Sequence, residues 1–151
     1  MNWYRIELTG AYAFAPLWDL EINIPFDIKD QKADYQLADG TPFDNQAGDI
    51  HHRSETLTGF SDITALVNFR PTVGLLPNDF AQFGFGLSLP TGKTEGNPFV
   101  LSAQDIKHQH IQFGDGTFNP ILRLGYTSMP DWWGFGASAG IRVPFYENSK
   151  G

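Results

Sequence analysis

All four histidines fall in two polar stretches, His51 and His52 in GDIHHRSE and His108 and His110 in QDIKHQH. Asp49, Glu55 and Asp105 stand beside them. Imidazole with carboxylate suits Zn, Cu or Ni, and an H-x-H pair on a strand presents both rings to one face. His51, His52, His108, His110, Asp49 and Asp105 are therefore a candidate metal set. The plain alternative is that they are ordinary solvated loop residues.

A second set is spread through the chain. Arg5, Glu7, Asp19, Glu21, Asp62, Arg70, Arg123 and Arg142 all sit one register away from the apolar residues around them. On strands, that spacing places them on the face opposite the greasy one. Such charges read either as lumen groups that tune solute selectivity or as a salt-bridged plug that fills a narrow barrel.

No catalytic arrangement is expected. Ser54, His51 and Asp49 are near one another in sequence, but a triad is a spatial arrangement and nothing positions them. Gly92-Lys93-Thr94 resembles the end of a P-loop, yet Leu87 stands where the motif needs glycine and no helical pattern follows. The Asp-rich stretch 27–49 lacks the calcium-loop spacing that ends in Glu. No cofactor is expected beyond the candidate metal.

The elements that would carry these residues are strands. The longest pattern is GDGTFNPILRLGYTSMPDWWGFGASAGIRVPF, residues 114–145. Phe118, Pro120, Leu122, Leu124 and Tyr126 alternate with polar or small residues, and Trp133, Phe135, Ala137, Ala139, Ile141, Val143 and Phe145 resume the rhythm. The same period of two marks 3–14, 18–26, 59–70 and 80–90, which with 117–127 and 132–145 makes about six long strands. Leu66 alone spoils the polar face of its strand. The expected fold is an all-β antiparallel meander. Two long external loops, 27–57 and 90–116, alternate with short turns.

Composition narrows the class. The chain has 151 residues, no Cys, 16 Gly, 15% aromatics and a net charge of -7. That charge argues against nucleic acid, which needs a basic patch. No Cys removes disulfides and thiolate metal sites, and no apolar run is long enough for a membrane helix. The strands, however, have the nine to eleven residues that a tilted strand needs to cross a bilayer.

Short turns alternating with long loops match outer-membrane barrels. Aromatics at both strand ends (Trp18, Tyr126, Trp132 and Trp133; Phe26, Phe60, Phe145 and Tyr146) match interfacial girdles. A soluble β-domain with its greasy face turned inward would show the same alternation. Six strands are fewer than the eight of the smallest such barrels. No signal peptide opens the chain, so a fragment of a larger barrel is expected.

The stretches FGDGTFNPILRLGY and GASAGIRVPFYENSKG resemble the bacterial outer-membrane β-barrel family described as phenol meta-degradation pathway (MetA-like) proteins. The shared signature is Gln112, Gly114, Gly116, Asn119 and Pro120, with Gly59, Asp62 and Ile63 upstream and LSLPTGKTEG as a similar strand exit. The resemblance covers about residues 59–151. It implies a bacterial outer-membrane barrel for passage or binding of small molecules, aromatic compounds among them, with membrane lipid and a small solute as partners. Fold alone does not dictate cargo. The alternatives are a metal-handling barrel that uses the loop histidines, and a soluble β-domain that binds an apolar ligand.

Overall fold

The computed structural model describes residues 1–43, 53–108 and 110–148. Its elements follow in the order β1 (Asn2–Ala15), β2 (Trp18–Gln31), β3 (Glu55–Phe60), β4 (Ile63–Phe69), β5 (Asp79–Leu89), α1 (Pro98–Ala103), β6 (Asn119–Ser128) and β7 (Phe135–Arg142). All pairings are antiparallel, in the sheet order β1-β2-β4-β5-β6-β7, and β3 pairs with the far part of β2. The sheet curls into a half-barrel. The all-β meander is as the alternation predicts.

β3 and β4 are one strand interrupted at Ser61-Asp62. The cause lies across the ladder, at Pro25. In an antiparallel pair a residue's N–H and C=O point to the same neighbour. The Pro25 carbonyl accepts from the Ser61 N–H at 3.0 Å, so its missing N–H faces the same strand. Regular pairing stops there, and Ser61 and Asp62 are freed to turn their side chains inward.

Several boundaries differ from the sequence expectation. β2 continues through Gln31 instead of ending at Phe26, because Ile28 extends the apolar register and both neighbours pair with it, as in Tyr4↔Ile28 and Ile28↔Thr58. The stretch 27–57 is therefore loop only in part. β7 is shorter than 132–145, with Gly134 and Pro144 flanking its regular part. The stretch 90–116 contains α1, a single turn and a half that no periodic pattern announces. Asn97 caps it, its side chain accepting from the N–H groups of Phe99 and Val100.

Burial is inverted relative to a soluble domain. Leu66 is the sole large apolar residue that is fully buried among the described residues, while Asp19, Asn23, Asp27, Asp62, Asn68, Ser88 and Asn119 are buried. Ile6, Leu8, Phe85, Leu124 and Ile141 lie on the convex face, each more than half exposed.

The curl follows from side-chain volume. The concave face carries Gly84 and Gly86, and the convex face carries the large residues. A Cβ on Gly86 would lie 1.9 Å from the Ala65 carbonyl oxygen, and one on Gly84 would lie 2.6 Å from Asn68 Oδ1. Leu66, the residue out of place in its register, fills space beside Gly84.

Candidate functional site

The concave face is a network of paired charges. Each of the four arginines in the sequence set meets a carboxylate. Arg5 on β1 grips Asp27 on β2 with two parallel bonds, Nε to Oδ1 at 2.8 Å and Nη2 to Oδ2 at 2.9 Å, the strong fork geometry of arginine with carboxylate. Ser61 donates its hydroxyl to the same carboxylate at 2.6 Å. Arg70 lies 2.8 Å from Asp19, and Arg123 on β6 lies 2.7 Å from Glu21 on β2. Arg142 on β7 reaches Asp115 at 3.2 Å and Ser88 at 3.0 Å.

Amides fill the spaces between the ions. Asn68 donates to Asp19 at 2.8 Å and accepts from Gln82 at 3.0 Å. Asn23 donates to Glu21 at 2.9 Å and accepts from the Thr9 hydroxyl at 2.7 Å. A buried polar network of this kind is stable only when nearly every member is satisfied, and this one joins β1, β2, β4, β5 and β6.

Two acidic residues of the set behave differently. Glu7 forms no ion pair among the described residues and lines a small cavity of about 110 Å³ with Asn23, Thr64 and Arg142. Asp62 pairs with backbone instead of arginine. Its Oδ1 accepts from the Gly92 N–H at 2.9 Å and its Oδ2 from the Asp115 N–H at 2.8 Å. One carboxylate thus ties both ends of the stretch 92–115 to the β3–β4 break.

The residues that carry the resemblance noted in the sequence lie around this anchor. Gly59 lies under the Phe113 ring, where a Cβ would be 3.3 Å from the nearest ring carbon. A Cβ on Gly114 would lie 2.4 Å from Asp62 Oδ1 and 2.7 Å from the Gly92 carbonyl oxygen. Gly116 turns the chain at φ 72, a conformation that favours glycine. Asn119 is buried, donates to Asp115 at 2.9 Å and accepts from Thr117 at 2.9 Å. The Gln112 carbonyl accepts from Lys29 Nζ at 2.5 Å. Pro120, the second residue of β6, pairs with Leu87. These residues hold segment 112–119 inward against the polar face.

That segment completes a cavity of about 450 Å³, lined by Trp3, Arg5, Asp27, Lys29, Phe113 and Arg142 among others. Lys29 Nζ stands 5.6 Å from the Trp3 ring centre and 4.8 Å from that of Phe113, within cation–π range of both.

The histidine set is not assembled among the described residues. His51, His52 and Asp49 lie outside them. The His108 and His110 rings are 5.4 Å apart, and His108 is buried with Nδ1 2.8 Å from the Ile106 carbonyl oxygen. They sit on irregular chain beyond α1, so the strand-borne H-x-H geometry does not apply. Asp105 holds a positive φ of 52 at the helix end. No group of three His, Cys, Asp or Glu capable of holding a metal ion occurs among the described residues.

Sequence reasoning missed Asp27, Lys29, Asp115, Trp3 and Asp79. The signal for the first two was present, since 19, 21, 23, 27 and 29 share one register and Ile28 prolongs the other. Asp79 organises the opposite end. Its carboxylate accepts from the N–H groups of Gly74, Leu75 and Leu76 at 2.8, 2.9 and 3.0 Å and from the Tyr126 hydroxyl at 2.8 Å. Burial pushes this carboxyl up, but those donors outweigh it and hold it at about 2.

Compared with protein-family models, with curated proteins and with solved structures, the chain finds no match in any of the three.

Proposed function

We infer that this chain forms part of the wall of an outer-membrane-type β-barrel whose polar lumen passes or binds small solutes. One observation carries the reading: the charged face is concave and its groups pair with one another, while the convex face is apolar and exposed. A soluble β-domain holding an apolar ligand needs the reverse curvature. Water gains nothing from a convex wall of Ile, Leu and Phe, whereas hydrocarbon does.

Aromatic placement supports it. Trp18, Phe69 and Phe83 adjoin at one end of the sheet, with ring centres 4.7 and 6.4 Å apart, and Phe26 and Phe60 meet at 5.2 Å towards the other. From Trp18 to Phe26 along β2 is roughly 26 Å at about 3.3 Å per residue, close to the apolar band of about 25 Å in such barrels.

In a bilayer no sheet edge can stay unpaired. The edges here are β1 and β7, so the reading entails further strands between them. The resemblance to MetA-like outer-membrane proteins agrees with this reading and extends it to aromatic solutes. No catalytic role is proposed.

The test is membrane fractionation followed by a denaturing gel, boiled and unboiled. A membrane-bound band that shifts on boiling is the expected result. A soluble band unmoved by boiling overturns the reading and favours a soluble ligand-binding β-domain.

A further inference from the structure

The cavity between β1, β2, β7 and segment 112–119 holds one cation without a carboxylate partner among the described residues. Asp27 is consumed by the two bonds from Arg5 and one from Ser61. Asp115 is consumed by Arg142 and Asn119. Lys29 is left over. It has no carboxylate within ion-pair distance among the described residues, and its one hydrogen bond there goes to the Gln112 carbonyl. Arg5 and Arg142 also border the smaller adjoining cavity, which carries Glu7 and Asp62, so the cation without a carboxylate partner here is Lys29. Glu7 lies on the wall of the smaller adjoining cavity and not of this one.

The same ammonium stands over two apolar rings, Trp3 and Phe113. An ammonium carries three donors, and one is used. The remaining donors can meet an anion whose apolar part rests on the rings. A cavity of about 450 Å³ falls in the size range of small-molecule sites, and its mostly polar wall is broken by the two rings. We propose that this cavity is a binding site for small organic monocarboxylates, with Lys29 as the carboxylate partner and Trp3 and Phe113 as the apolar walls. The proposal rests on the lumen reading above, since it needs the concave face to be open to solutes.

The test uses the full protein in detergent micelles, with benzoate, benzylamine and benzyl alcohol as equal-sized probes of different charge. Calorimetric titration is expected to show benzoate binding at least tenfold tighter than either of the others. Lys29→Gln keeps a donor for the Gln112 carbonyl and loses the charge, so benzoate binding is expected to weaken at least tenfold. Lys29→Arg is expected to retain it. The boiled and unboiled gel on each variant separates the possible failures. Equal binding of the three probes, or unchanged benzoate affinity in Lys29→Gln, by a heat-modifiable protein overturns the carboxylate site and leaves the barrel standing. A protein that shows no heat shift overturns the barrel and the site together.

Discussion

Arg123 on β6 lies 2.7 Å from Glu21 on β2, although β4 and β5 run between their strands. Three inter-strand steps at about 4.8 Å each span roughly 14 Å on a flat sheet, too far for these two side chains to meet without curvature. Their contact therefore records a sheet bent towards its charged face. Both groups are largely removed from solvent, with 28% and 12% of the side chains exposed. Removing one partner is expected to cost about 1–3 kcal/mol, between the values for exposed and buried pairs. A double-mutant cycle of Arg123→Gln and Glu21→Gln in urea unfolding checks it. Additive single effects would mean that the contact contributes nothing to the curl.

Leu124 sits mid-strand on the convex face and is 60% exposed. Leu124→Arg is expected to cost about 2–4 kcal/mol when the protein unfolds from a bilayer, as for an arginine that faces lipid near the midplane. The same substitution on a water-exposed surface would change stability by less than about 0.5 kcal/mol. The two outcomes separate membrane wall from soluble sheet.

Asp62 holds Gly92 and Asp115 by their backbone N–H groups. Asp62→Ala leaves two amide donors near a cavity without an acceptor, and a loss of about 2–4 kcal/mol is expected from the two bonds together. Amide hydrogen exchange at Gly92 and Asp115 is expected to rise, with β5 and β6 unchanged. Protection that stays as in the parent protein would show that the glycine packing holds segment 112–119 without the carboxylate.

The Asp79 turn has a defined pH window. The folded carboxyl at about 2 lies below the ordinary unfolded value of about 3.9. The ionised group therefore contributes stability that is fully present above about pH 4 and is lost as pH falls through about 2. The unfolding midpoint of the parent protein is expected to exceed that of Asp79→Asn above pH 4, with the gap closing between pH 4 and 2. A gap independent of pH in that window would assign the effect to shape and not to charge.

The class of fold, antiparallel β, and the division of each strand into a greasy and a polar face were legible in the order of the residues alone. A period of two needs no partner to be read, and the pairings Leu20↔Val67, Val67↔Phe85 and Phe85↔Leu122 keep the greasy residues on one side across four strands. Arg5, Asp19, Glu21, Arg70, Arg123 and Arg142 were legible as one charged face for the same reason. Their partners were not. Arg5 takes Asp27, which lies outside that set, and Arg142 takes Asp115 from a stretch with no periodicity.

Which face is concave became visible in the folded sheet alone. Alternation is unchanged when a sheet is bent the other way, so it cannot distinguish a polar lumen from a greasy core. The direction of bending is set by contacts distant in sequence, such as Arg123 with Glu21, and by the absence of side chains at Gly84 and Gly86 where neighbouring strands close in. The ends of the strands were decided the same way, because β2 extends to Gln31 only where β1 and β3 supply partners for its backbone.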